Sequence, residues 1–241
     1  QARLRSVKTS VKYSFANTWL HMGTLGPWTL PSSITLRSDL EAAGLCGDAR
    51  FLRGEAHFGA ACQLPWNLLL TCTGVCGLLL PTDGKASCLQ DRFYLGGSSG
   101  STTVLKGFAH RGIGPVGICQ TRSVKANVKR RTDALGGDAM MNCFTTFSAP
   151  LLLPNLPPGA GMGARVFGFA GVGALAPEVA AGGDGLVDSL RRSMRASVGV
   201  GVGLPIAGLG VLEFTLAYPM WAQHHDITQS RQLGLRLELK S

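Results

Sequence analysis

Residues 5 to 16 alternate without a break: Val7, Thr9, Val11, Tyr13 and Phe15 fall on one face, and Ser6, Lys8, Ser10, Lys12 and Ser14 on the other. A period of two marks an extended strand, because successive side chains leave a pleated backbone on opposite sides. The lysine row needs water and the opposite row needs an apolar neighbour. Such a wall separates either solvent from a core or a wet lumen from lipid.

The pattern recurs along the chain. After a turn expected at 23–27, Ile34, Leu36, Leu40 and Ala42 alternate with Thr35, Arg37, Asp39 and Glu41. Leu52, Ala56, Phe58, Ala60 and Cys62 then oppose Arg53, Glu55, His57 and Gly59. Rows of ionisable residues confined to one face predict cross-strand pairs of about 0.2–1 kcal/mol each. Residues 66–81, WNLLLTCTGVCGLLLP, carry no charge and approach the length of a membrane helix. Pro65, Thr71, Thr73, Gly74 and Gly77 favour a strand there, with a helix as the alternative. Further strands are predicted near 136–148, 162–174, 193–204, 208–219 and 230–239, about nine in all, each able to pair antiparallel with its neighbour. In the clearest of them Val198, Val200 and Val202 alternate with Ser197, Gly199 and Gly201, and Leu212, Phe214 and Leu216 alternate with Glu213 and Thr215.

Composition chooses between the two kinds of wall. With 33 glycines, 15% charged and 45% hydrophobic residues, the chain fits a membrane barrel, whose outer face needs no charge, better than the alternative of a secreted sandwich. The expected outer band is Val7, Val11, Phe15, Leu212, Phe214, Leu235 and Leu237. A net charge of +9 is scattered apart from Lys125, Lys129, Arg130 and Arg131 and from Arg191, Arg192 and Arg195, with no aromatic-plus-basic module. That argues against nucleic acid and for anionic lipid headgroups or acidic segments in transit. Seven cysteines, at 46, 62, 72, 76, 88, 119 and 143, include no C-x2-C pair, so neither a zinc site nor a disulfide framework is expected. The opening residues are basic and alternating rather than apolar, so no signal peptide is expected, and Gln1 suggests a processed or partial chain.

Between the strands lies a long loop, residues 91–117, reading DRFYLGGSSGSTTVLKGFAHRGIGPVG. Gly96 and Gly97 at one end and Gly112, Gly114 and Pro115 at the other interrupt regular structure, while Phe93, Tyr94, Leu95, Val104, Leu105 and Phe108 supply apolar anchors. Loops this long are uncommon and usually functional. Lys106 and Arg111 require partners if the loop is buried, so the loop is expected to fold inward, into a polar cavity.

Asp91-Arg92-Phe93-Tyr94-Leu95-Gly96-Gly97, Leu105-Lys106-Gly107-Phe108 and Gly112-Ile113-Gly114-Pro115 resemble the signature loop of the outer-membrane barrel-assembly superfamily. Residues 134–139 and 196–201 are similar to that family's following segments, and Ser6-Val7-Lys8, 39–44 and 47–52 resemble its mitochondrial branch, the core subunit of the sorting and assembly machinery. The resemblance implies an all-β fold: an antiparallel transmembrane β-barrel whose C-terminal part is this chain, residues 1–241, with the loop of residues 91–117 folded into the lumen. It implies insertion and assembly of β-barrel precursors in the mitochondrial outer membrane by strand exchange at a seam. No catalytic residue, cofactor or metal enters, and the partners are other assembly subunits, client barrels and the bilayer. The family's soluble N-terminal module and the first half of its barrel are expected to be missing. Lys106 stands where the family usually has arginine, after extra residues Gly100-Ser101-Thr102-Thr103. Lysine lacks the bidentate fork, so weaker docking of the loop is expected. A reduced relative that serves as a scaffold or accessory subunit is the alternative reading.

Three motifs point elsewhere and are set aside. Gly96-Gly97-Ser98-Ser99-Gly100 fits a nucleophile elbow, but the Thr102-Thr103-Val104 that follows is a poor start for the helix an elbow requires. Glycines 199, 201 and 203 lie within a strand rather than at a phosphate-binding turn. His224-His225-Asp226 reads as a hairpin tip rather than a metal fragment. The last strand is more informative: Arg231, Gly234, Leu237 and Leu239 resemble the sorting signal of mitochondrial outer-membrane barrels and are expected to form the seam.

Overall fold

The computed structural model describes residues 8–25, 28–47, 49–84, 86–98, 104–121, 129–151, 163–177, 184–206 and 210–237. Among the described residues the strands are β1 (Lys8–Leu25), β2 (Trp28–Gly47), β3 (Phe51–Leu64), β4 (Leu68–Pro81), β5 (Val116–Thr121), β6 (Lys129–Ala134), β7 (Ala139–Pro150), β8 (Arg165–Ala176), β9 (Met194–Ile206), β10 (Gly210–Trp221) and β11 (Arg231–Leu237), with one α-helix, α1 (Asp184–Arg192). Nine strands form a single sheet in the order β1-β2-β3-β4-β7-β8-β9-β10-β11, every pair antiparallel. β1 and β11 are its two edges, and no ladder joins them among the described residues.

Each neighbour in sequence is a neighbour in the sheet, except across residues 82–138, where the chain leaves β4, forms the long loop and returns as β7. Within that excursion β5 and β6 pair as a hairpin of their own, Val116 opposite Ala134. Neither strand of this hairpin is expected from the sequence, whose lysines and arginines there mask the alternation. Nor is α1; Arg191 and Arg192 occupy that helix's last turn, where they complement the negative end of its dipole. The apolar run around residue 70 is strand, Leu68–Pro81, turned out of β3 through Pro65–Asn67 with Trp66 and Asn67 both left-handed.

The alternation read from the sequence separates two faces. Val11, Tyr13, Phe58, Met141, Val200, Phe214, Leu216, Leu233 and Leu235 all stand exposed on the outer one. Apolar patches on soluble monomers rarely exceed a few hundred Å², whereas this band runs from β1 to β11. Val7 and the side chain of Leu237 lie outside the described residues, and Leu212 is half-buried. The apolar core is on the opposite face, and the long loop supplies half of it: Phe93, Leu95, Leu105, Phe108 and Ile113 pack with Phe51, Val75, Leu79, Met140 and Leu175. A sandwich would need a second sheet there; here a loop takes its place.

Candidate functional site: a loop clamped inside the sheet

The root of the loop is tied to the first strands. Phe93 and Gly137 exchange two backbone hydrogen bonds of 2.9 Å. Arg92 Nε lies 3.4 Å from Asp138 Oδ1 and donates to Ser87, which in turn donates to Asp138. Lys8 Nζ sits 2.7 Å from both Asp91 Oδ1 and Glu41 Oε1, joining the edge strand β1 to the start of the loop. The Phe93 ring lies under the Arg53 guanidinium at 4.6 Å. It also occupies the space left by Gly77 of β4, where a Cβ would stand 2.7 Å from the ring.

The middle of the loop fills sockets in the wall. Leu95 and Leu105 enter where Gly173 and Gly171 of β8 carry no side chain; added Cβ atoms would lie 2.6 and 2.8 Å from them. The two limbs touch at Leu95 and Ile113, Asn142 Nδ2 donates to the Val104 carbonyl at 3.0 Å, and Arg111 covers Tyr94 at 4.4 Å. Burying each large apolar side chain contributes about 1.5–3 kcal/mol, so five of them hold the loop firmly.

The tip, Lys106-Gly107-Phe108, meets the last strands. Lys106 is 5% exposed, and its ammonium lies 2.6 Å from Glu213 Oε2 and 3.5 Å from the Thr215 hydroxyl. Three rings surround it, Phe167 at 4.7 Å, Phe169 at 5.7 Å and Phe144 at 6.0 Å. Such cation–π contacts are worth about 2 kcal/mol when desolvated. The rings can gather here because Gly199 and Gly201, opposite Phe169 and Phe167 in the register, leave room for them. Lysine makes no fork with the carboxylate; its ammonium pairs with Glu213 Oε2 and is also enclosed by the rings. Gly107 has φ +93° and rests against Ser197 and Ala217, a conformation and a gap that suit only glycine.

Gln232 of β11 grips the same turn. The Gly107 N–H donates to its Oε1 at 3.1 Å, and its Nε2 donates to the Phe108 carbonyl at 2.6 Å. The connector between β10 and β11 adds main-chain bonds: Ala109 N–H to Ile227 O at 2.8 Å, Ile227 N–H to Gly112 O at 2.9 Å and Gln229 N–H to Gly107 O at 2.9 Å. Gly112 must be bare, since a Cβ there would meet the Ile227 carbonyl at 2.8 Å. Below it a sealed ion pair fixes the connector. Arg195 Nε lies 3.1 Å from Asp226 Oδ2 and Nη2 3.2 Å from Oδ1, with side chains 1% and 0% exposed. Asp226 also accepts from Gln223 N–H at 2.7 Å and Gly114 N–H at 3.4 Å.

Of the residues singled out from the sequence, Asp91, Arg92, Phe93, Gly96, Gly97, Lys106, Gly107, Phe108, Gly112, Gly114 and Pro115 therefore lie together against the inner face. Gly96 and Gly97 take φ of +111° and +130° before Ser98, whose hydroxyl donates to the Leu233 carbonyl at 3.2 Å. His224-His225-Asp226 lie at the tip of the β10–β11 hairpin, and Asp226 there also anchors Arg195. Arg231 and Gly234 are in β11, with Gly234 opposite Glu213; the backbone of Leu237 pairs with Gly210, and Leu239 is outside the described residues. Glu213, Gln232, Arg195 and Asp226 were not picked out as partners of the loop. For Glu213, Gln232 and Arg195 the signal is present, a polar residue on the inward row of a strand, whereas Asp226 lies in the connector and carries no such signal.

The other half of the inner face, under β1 to β4, is a cleft of about 600 Å³ lined by Lys12, Arg37, Asp39, Arg53, Glu55 and His57. Its polar groups meet along as well as across strands: Arg37 pairs with Asp39 at 2.8 Å and Arg53 with Glu55 at 2.6 Å, and His57 Nε2 lies 3.3 Å from Glu55 and 3.7 Å from Asp39. Among the described residues no three His, Cys, Asp or Glu side chains converge as metal ligands.

Comparison with known proteins gives this arrangement a setting. The Omp85 superfamily domain matches residues 30–236. The sorting and assembly machinery component 50 homolog A of Xenopus laevis is 30% identical over 199 residues, covering 81% of this chain and 38% of the relative. The homolog of Xenopus tropicalis is 31% identical over 197 residues and that of Homo sapiens 28% over 195, each covering 79% of this chain and 38% of the relative. The crystal structure of BamA from Haemophilus ducreyi lacking POTRA domains 1-3 shares the fold with a TM-score of 0.62 at 19% identity, over 92% of this chain and 41% of that one. The chain thus spans about two-fifths of the length of the curated relatives it matches.

Proposed function

The chain belongs to the Omp85 superfamily, and from that premise we propose that it works in the insertion and assembly of β-barrel proteins into the mitochondrial outer membrane. It has the fold of an outer-membrane β-barrel wall, and it acts by lending a strand edge rather than by covalent chemistry. Its partners are client barrel precursors, other subunits of an outer-membrane assembly complex and the bilayer. The seam residues are Arg231, Gly234, Leu237 and Leu239, and the loop of residues 91–117 is the inner brace.

The observation that carries this reading is the position of β11. It pairs with β10 along one side, no strand ladder runs along its other side among the described residues, and its inner row is bonded to the loop. In hydrocarbon each unsatisfied backbone group costs several kcal/mol, so a strand edge facing lipid attracts another strand, and main-chain hydrogen bonds supply the affinity. Gly234 lowers the side-chain barrier to such pairing on the inner face.

Site-specific disulfide trapping tests it, with a cysteine replacing Leu235 and another in the terminal strand of an imported outer-membrane barrel. Crosslinks that form during import and vanish as the client matures are expected. A permanent crosslink to one resident subunit, with none to clients, overturns the reading and leaves a scaffold.

A further inference from the structure

The outward row of β11 repeats itself. Leu233 and Leu235 stand exposed two residues apart, so sliding the strand by two residues puts leucine where leucine was. The backbone ladder is equally indifferent, apart from the bonds lost at its end. Where neither the ladder nor the exposed row distinguishes one offset from the next, register is weakly specified and strands slip.

The inward row does not repeat, Gln232 being followed by Gly234, and Gln232 is the residue of that row with described contacts to the loop. Its amide is buried and stands opposite Thr215 of β10. Donor and acceptor are both used, on Gly107 N–H and Phe108 C=O, much as a strand neighbour would use them. The loop tip is held by β10 independently of β11, through Lys106 and Glu213. It is therefore a fixed reference against which β11 can be measured.

We propose that Gln232 is the positioning residue that sets the register of the edge strand, locking β11 to one offset on β10 through the docked loop. A slip of one residue turns Gln232 to the outer face. A slip of two carries it about 6.8 Å along the strand, out of hydrogen-bond reach of both partners. The Ser98 hydroxyl on the Leu233 carbonyl reads the same offset from the backbone. The inference rests on the reading of β11 as the working edge for its consequence, since a strand added beyond β11 inherits its offset. The measurement of register requires no client.

The experiment uses the full chain in membranes with cysteines on the outward row. Phe214 and Leu233 face each other, so the pair Phe214→Cys/Leu233→Cys reports the native offset. Phe214→Cys/Leu235→Cys are diagonal neighbours, about 7–8 Å apart, and close a disulfide only after a two-residue slip. Linked peptides are identified by mass spectrometry, and the yields of the two disulfides are compared as a ratio, independent of how much protein is folded. Gln232→Met keeps length and volume and removes both bonds; it is expected to raise the slipped-to-native ratio at least fivefold. Gln232→Glu keeps the acceptor for Gly107 and is expected to fall between Met and the native residue. A ratio unchanged in Gln232→Met overturns the proposal. A raised ratio with normal client insertion supports it and counts instead against the working-edge reading.

Discussion

The ammonium of Lys106 and the carboxylate of Glu213, 107 residues apart in the chain, meet at 2.6 Å inside the sheet. Everything around that contact is arranged so that a loop from between β4 and β7 ends against β10 and β11.

Replacing Lys106 by Met strips the buried Glu213 carboxylate of its ammonium and should destabilise the protein by about 3–5 kcal/mol, the usual cost of breaking a buried pair from one side. The double variant Lys106→Met/Glu213→Gln should recover most of that loss. Urea unfolding in detergent, followed by tryptophan fluorescence, measures both; equal stability of the single variant and the native chain would remove the pair from the loop's anchorage.

The wall glycines offer an independent test. Gly173→Ala places a methyl group 2.6 Å from Leu95, and overpacking of that kind costs about 1–3 kcal/mol. The loop should lift from β8, so trypsin should cut at Lys106 or Arg111 in intact membranes several-fold faster than in the native chain. An unchanged cleavage rate would mean that the socket does not hold Leu95.

Asp226→Asn removes the charge facing Arg195 at a site with no solvent access, again at about 3–5 kcal/mol. The effect should be local first: the amide hydrogens of Ala109 and Ile227, which bond loop to connector, should exchange faster while those of β3 and β4 hold. Uniform acceleration across all strands would point to global destabilisation instead.

The outer band predicts behaviour in bulk. With Tyr13, Phe58, Val200, Phe214 and Leu216 exposed together, the chain should stay in the pellet after carbonate extraction of membranes. Release into the supernatant would contradict a wall that faces lipid.

How much of this was legible in the sequence follows from what alternation can and cannot encode. Period two placed Arg195, Glu213 and Gln232 on the inner face, and the strands near 136–148, 162–174, 193–204 and 208–219 lie within a few residues of Ala139–Pro150, Arg165–Ala176, Met194–Ile206 and Gly210–Trp221. β1 runs further than 5–16 suggested, to Leu25, because Trp19, Leu20 and Met22 break the polar–apolar alternation while the ladder with β2 continues. The loop's anchors were visible as apolar residues among glycines. Which wall residue meets which anchor was not, since that depends on register between strands some hundred residues away. Gly199 and Gly201 could be read as leaving space, but only their pairing with Phe169 and Phe167 identifies the rings that use it.

The uneven filling of the inner face has a mechanical consequence. Strands β8 to β11 are cross-braced by the loop through apolar sockets, a caged cation and a side-chain clamp, whereas β1 to β3 depend chiefly on their own ladders over a charge-lined cleft, with Lys8 and Arg53 as ties near the loop's root. The wall is therefore stiff on one flank and compliant on the other. Under lateral tension it bends first along β1 to β3, while the flank carrying β11 keeps its shape.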